Sequence, residues 1–151
     1  MFKKLFKRFE QEFAPITSEE NAFFVDVTDL PSDKSTLNPL SGQPWDFAQD
    51  ALAGSMLACQ QLALTYALND NREKAYLWAT VALLAGHPDA SELMRDLSPT
   101  AKRSRRFYLE TCARKWYTDR KHVFEARKSS WAEKVAEARR MGIHDLDDRW
   151  W

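Results

Sequence analysis

The residue types most often used in catalysis and metal binding are few in this chain and widely spaced. Its three histidines, His87, His122 and His144, include no pair at the i, i+4 spacing that places two imidazoles on one helix face. Cys59 and Cys112 lie among apolar residues and form no paired motif, so we expect two buried thiols in a reducing compartment. The sequence has no glycine-rich phosphate loop and no nucleophile elbow. It therefore predicts no catalytic residue, no metal ligand and no cofactor, and favours a protein that is not an enzyme.

Charged residues divide the chain into an acidic part and a basic part. The 22 lysines and arginines balance 22 aspartates and glutamates, which excludes a globally basic nucleic-acid binder. Residues 14–50 nevertheless carry one positive and seven negative side chains, whereas residues 101–141 carry thirteen positive and five negative ones. The second part contains a dense basic run: Lys102, Arg103, Arg105 and Arg106. This run could bind an acidic partner or, with less support, a nucleic acid, or it could contact residues 14–50 of its own chain.

The first thirteen residues form an amphipathic pattern. Five apolar side chains recur at helical spacing, with four basic ones between them. The apolar members are Phe2, Leu5, Phe6, Phe9 and Phe13, and the basic members are Lys3, Lys4, Lys7 and Arg8. Such a helix could cover the rest of the protein, or it could lie on an anionic membrane surface with its basic side chains at the headgroups. Because charges interrupt the apolar stretch, it does not resemble a signal peptide, and we expect a cytoplasmic protein with membrane contact as an alternative.

The remainder of the chain has the composition of helices. Only 4 glycines and 6 prolines interrupt it, whereas strong helix formers are abundant. After an irregular lead-in, three helices are predicted: Pro44 to Leu68, about Arg72 to the cap Gly86, and near Pro88 to Leu97. The second of these is apolar on nearly every side, which indicates that other segments cover it from more than one direction.

Residues 99–151 predict a long basic helix followed by an acidic tail. Ser98 and Pro99 suit an N-cap and a first helical position. Because Ser130 and Glu133 have capping-box spacing, we expect a break near Ser129 and a final helix that ends at Gly142.

Two tryptophans end the acidic tail. Trp150 and Trp151 either pack back onto the helices or form an exposed aromatic anchor for a partner, and the sequence favours neither. His144 lies among aspartates, and an exposed acidic tail explains this cluster better than a cation site does.

Small and large apolar residues are arranged across residues 54–90 as in paired helices. The positions of interest are Gly54, Ala58, Leu62, Ala63 and Tyr66, and then Lys74, Ala75, Trp78, Ala82, Gly86, His87 and Ala90. This arrangement resembles a Sel-one-like repeat, a branch of the tetratricopeptide superfamily of antiparallel helix pairs. The alanines would let the two helices approach, while Tyr66 and Trp78 fill the space beside them. The resemblance implies a protein-interaction scaffold and carries no catalytic residue across.

Only one such unit is visible, and repeats of this kind generally need neighbours to bury their apolar faces. The sequence therefore predicts an all-α fold, namely a compact helical domain around one antiparallel hairpin. We expect a single domain over residues 1–151, made of an N-terminal helix and lead-in (1–43), the hairpin region (44–98) and a basic helical extension with its tail (99–151).

The resemblance also implies where a partner would bind. In tetratricopeptide hairpins the first helix lines the concave surface, and the corresponding residues are Leu57, Gln60, Leu64 and Ala67. An apolar groove with one hydrogen-bonding group suits an extended chain or an amphipathic helix. If the ends of the chain fill this groove, binding moves to Lys102–Arg106 and to the two terminal tryptophans.

The predicted function is a non-enzymatic protein-interaction module, such as a bacterial adaptor, assembly factor or toxin-neutralising immunity protein. Two alternatives stay open: a peripheral membrane protein held by residues 2–13 and, with less support, a nucleic-acid accessory protein that uses Lys102–Arg106.

Overall fold

The computed structural model describes residues 44–98 and 102–151, and within these ranges it contains helices and no strand. Five helices follow one another: α1 (Pro44–Leu52), α2 (Met56–Leu68), α3 (Arg72–Ala85), α4 (Ala90–Leu97) and α5 (Arg103–Arg140). The predicted all-α class is therefore confirmed. The predictions for residues 1–43, including the amphipathic helix of residues 2–13, lie outside the described residues. None of the five helices is both long enough and apolar enough to cross a bilayer.

Helix α3 lies at the centre of the molecule and packs against α2, α4 and α5. All nine residues from Lys74 to Ala82 are buried, which agrees with the prediction that this helix is covered from more than one direction. Asn71 caps its start by accepting a hydrogen bond from the Lys74 N–H. Gly86 ends it in the left-handed conformation, and the next N–H, that of His87, donates to the Ala82 carbonyl at 2.9 Å.

The prediction of one helix from Pro44 to Leu68 is wrong, because the chain turns sharply at Gly54. The φ angle of Gly54 is 90°, and Ser55 then caps α2 by accepting the Ala58 N–H at 3.1 Å. A Cβ at position 54 would lie 2.8 Å from the carbonyl oxygen of Val123 in α5. The glycine is thus required both by the left-handed backbone and by the close approach of α5.

Helix α5 runs for 38 residues without interruption, so the predicted break near Ser129 is wrong. Ser130 is exposed in the middle of the helix, where its N–H and C=O belong to the helical ladder and leave no end to cap. The following residue, Trp131, donates its indole N–H to the carbonyl of Asp147 at 2.8 Å. The helix continues to Arg140, and Gly142 lies just past its end with a φ of 86°.

The start of α5 also differs from the prediction. The helix begins at Arg103, with Lys102 as its N-cap residue, whereas Ser98 is the C-cap residue of α4. The Lys102 side chain makes no capping hydrogen bond.

The core contains a series of aromatic rings that joins α3, α5 and the C-terminal tail. Trp78 meets Trp116 edge-on at 5.3 Å, Trp116 meets Phe124 at 6.1 Å, and Phe124 meets Trp151 at 6.4 Å. Such edge-to-face contacts add to the free energy gained from burying the rings. Both thiols, Cys59 and Cys112, are buried as predicted, and burial raises the pKa of Cys59 far above its ordinary value.

The four alanines expected between the two helices of the hairpin, α2 and α3, are all buried. They are Ala58 and Ala63 of α2, and Ala75 and Ala82 of α3. Helices α2 and α3 pack against each other across the short turn at residues 69–71. Small side chains at these positions allow the two backbones to approach closely.

Candidate partner-binding groove

A groove of about 620 Å³ lies between α2 and α4 and reaches the C-terminal tail. Helix α2 contributes Leu57, Gln60, Gln61 and Leu64, and helix α4 contributes Glu92, Leu93 and Asp96. The turn before α4 adds His87, Pro88 and Asp89, while the tail adds Asp147, Arg149 and Trp150. We call this feature the α2/α4 groove.

The wall formed by α2 is an apolar stripe with one polar position. Leu57, Gln61, Leu64 and Leu68 follow the spacing i, i+4, i+7, i+11 and therefore share one face of the helix. Leu64 is 38% exposed within the groove, and Leu68, just beyond the residues that line it, is 86% exposed. This stripe is the apolar surface that an occupant would cover.

Gln60 lines the groove, but its side-chain oxygen is buried. The residue is only 4% exposed, and among the described residues its Oε1 atom has no hydrogen-bond partner. A buried acceptor left unpaired costs about 1–3 kcal/mol of stability.

Carboxylates make the groove acidic. Asp89, Glu92 and Asp96 line it on the α4 side. The Arg149 side chain is committed to Asp147, to which it donates at 2.9 Å, and this contact together with the Arg149 backbone N–H lowers the pKa of Asp147 to about 2. Because these two opposite charges offset each other, the other three carboxylates determine the sign of the potential, and the groove attracts cations.

His87 has a structural part in the same wall. The Asp89 N–H donates to its Nδ1 atom at 3.1 Å, so the neutral ring carries its proton on Nε2. Burial lowers the pKa of His87; the Arg149 charge lowers it further and the Asp89 charge opposes this. His87 therefore accepts a hydrogen bond that holds the turn before α4.

The two terminal tryptophans have different environments. Trp151 is 4% exposed and packs on Phe124, whereas Trp150 is 50% exposed and lines the α2/α4 groove. The tail is held in place by the hydrogen bond from Trp131 to the Asp147 carbonyl. One tryptophan therefore anchors the tail, and the other remains accessible beside the groove.

The structure brings four of the residues predicted to bind a partner into this groove: Leu57, Gln60, Leu64 and Trp150. Ala67 is half-buried and does not line it, and Trp151 belongs to the core. Sequence reasoning missed the carboxylates of the α4 side. The only signal was that Glu92 and Asp96 are four residues apart and so share a helix face.

Two residues of the basic run, Lys102 and Arg105, line a second cavity of about 610 Å³ between the starts of α3 and α5. Arg105 donates two hydrogen bonds to Glu73, at 2.8 and 2.9 Å, and these lower the pKa of the Glu73 carboxyl. Lys102 and Arg103 are exposed, and Arg106 is half-buried. The run therefore contributes one internal ion pair as well as surface charge. Most of the acidic stretch that it was predicted to contact, residues 14–43, lies outside the described residues.

Within residues 44–98 and 102–151, no group of three histidine, cysteine, aspartate or glutamate side chains could hold a metal ion. No family model, curated protein or solved structure matches this sequence. The resemblance to Sel-one-like repeats accordingly remains a prediction carried by the residues quoted for it.

Proposed function

We propose that this protein is a non-enzymatic interaction module that binds a segment of another protein in the α2/α4 groove. The observation that carries this proposal is the combination of exposed leucines and three carboxylates in one cavity. An adaptor, an assembly factor or an immunity protein would each use such a surface.

The lining of the groove defines the chemistry of the partner. Leu57, Leu64 and Leu93 favour apolar side chains, and the half-exposed ring of Trp150 offers a further apolar contact. The carboxylates favour lysine or arginine beside those apolar residues. The proposed partner segment is therefore an amphipathic helix or an extended chain that is apolar on one side and basic on the other.

The same lining disfavours nucleic acid at this site, because Asp89, Glu92 and Asp96 repel phosphate. The basic run is a weaker candidate surface for an acidic partner, since the guanidinium of Arg105 is already bound to Glu73.

The test starts with capture of the partner from the native host by the full chain, followed by titration of the purified pair. Leu64→Glu places a charge within the groove, and Leu84→Glu makes the same change at a leucine of similar exposure outside it. We expect Leu64→Glu to weaken binding about tenfold or more, while Leu84→Glu binds like the parent. Both variants are first checked for folding by circular dichroism.

The charge on the groove is tested separately. Glu92→Lys should slow association and reduce its dependence on salt, because it removes part of the attraction for a basic segment. If Leu64→Glu and Glu92→Lys both fold and both bind as the parent does, the α2/α4 groove is not the binding site.

A further inference from the structure

We propose that residues 2–13 of this chain occupy the α2/α4 groove within the same molecule and compete there with the partner segment. The competition rests on the proposed function, whereas the occupancy is independent of it and can be measured without a partner.

Both surfaces place apolar side chains on one helix face. On α2, Leu57 and Leu64 line the groove with the polar Gln61 between them, and Leu68 continues the face just beyond the groove. In residues 2–13, positions 2, 6, 9 and 13 are all phenylalanines. A helix formed by these residues would offer an apolar stripe to the leucines of α2.

The charges of the two surfaces are complementary in sign and in spacing. Glu92 and Asp96 are four residues apart on α4, so their carboxylates lie on one face. In residues 2–13, Lys3 and Lys7 are also four apart, and so are Lys4 and Arg8. Two helices with such opposite pairs can form two ion pairs at once.

The intervening chain is long enough for this contact. Residues 14–43 number thirty, and a chain of thirty residues can span up to about 100 Å when extended. A segment tethered in this way has a high effective concentration at the groove, so a modest intrinsic affinity suffices to fill it.

Zero-length crosslinking of the unmodified full chain tests the occupancy directly. A carbodiimide joins an amine to a carboxylate only where the two form a close pair. We expect links from Lys3, Lys4 or Lys7 to Asp89, Glu92 or Asp96 in the monomer fraction, identified by mass spectrometry. Two exposed carboxylates of α5, Glu125 and Glu133, serve as internal controls that should remain unlinked to these lysines.

Three outcomes would overturn the occupancy. Links to the α5 controls as frequent as those to the groove would show that contact is random. Groove links found only in covalent dimers would place residues 2–13 in the groove of a second copy. An absence of groove links, together with flotation of the protein on anionic phospholipid vesicles, would assign residues 2–13 to a membrane surface.

Competition is tested with the Lys3→Glu/Lys7→Glu variant and the identified partner. If the segment fills the groove in nine molecules of ten, the parent binds about tenfold more weakly than this variant. Equal affinities would contradict the competition. Leu64→Glu is also made in the Lys3→Glu/Lys7→Glu variant, where the competing segment is already released. Groove links in the parent combined with unchanged binding in this triple variant would uphold the occupancy and overturn the proposed function, whereas lost binding in the triple variant without groove links in the parent would do the reverse.

Discussion

Two glycines share a left-handed backbone, and comparing their alanine variants distinguishes the energetic cost of conformational strain from that of close packing. Gly54 and Gly86 have φ angles of 90° and 101°. A Cβ added at Gly54 would lie 2.8 to 3.0 Å from backbone atoms of α5, which is too close, whereas a Cβ added at Gly86 would have no neighbour within 4 Å. We expect Gly86→Ala to lower the free energy of unfolding by about 1–2 kcal/mol through strain alone. Gly54→Ala should cost about 1–3 kcal/mol more, because α5 must also move. Urea titrations of both variants check this difference, and equal losses would contradict it.

The ion pair between Glu73 and Arg105 predicts a pH-dependent contribution to stability. Its hydrogen bonds lower the pKa of Glu73 from the ordinary 4.5, so the contribution is present above that pH and is lost as the pH falls through the lowered value. Because both side chains are nearly half exposed, Glu73→Gln should cost less than about 1 kcal/mol at pH 7 and nothing in strong acid. The free energy of unfolding is measured at pH 7 and in strong acid, with Glu133→Gln as the control. A loss of stability in Glu73→Gln that persists in acid would be inconsistent with this expectation.

At the scale of elements, the tail has one residue for stability and one for binding. Trp151→Ala should lower the free energy of unfolding by about 3–5 kcal/mol, because it removes a buried ring from the contact with Phe124. Trp150→Ala should change stability little, since half of that residue is exposed, yet should weaken partner binding. Thermal melts and partner titrations of the two single variants separate these effects. Similar stability losses in both variants would show that the tail is held differently.

The helix boundaries show what local sequence patterns can predict. Helix α3 begins at Arg72 and ends before the cap Gly86 as expected, because turn and capping chemistry acts over a few neighbouring residues. Ser130 has an equally good local pattern, but it lies inside the continuous α5, where there is no helix end to cap. At Gly54 the turn depends on the approach of Val123, nearly seventy positions along the chain, which a pattern read in one window does not contain.

At the scale of the whole molecule, the short range of local sequence patterns also explains which parts of the α2/α4 groove were predictable. Leu57, Gln60 and Leu64 could be named because they share one helix face and a resemblance placed that face on a binding surface. The carboxylates could not, because each one alone has the pattern of a solvated helix face or turn. They become a site only when α3 holds α2 and α4 on its two sides and α5 brings the tail alongside.

The edge-on pair of Trp78 and Trp116 gives the molecule a built-in optical signal. Two indole rings 5.3 Å apart at an angle of 77° are close enough for their electronic transitions to couple, and they belong to different helices. The guanidinium of Arg120 lies 4.5 Å from the centre of the Trp116 ring, which places a charge against one of these chromophores. Near-ultraviolet circular dichroism should therefore contain a band that exists only while α3 and α5 are docked. Loss of that band would mark the separation of these two helices without any label attached to the protein.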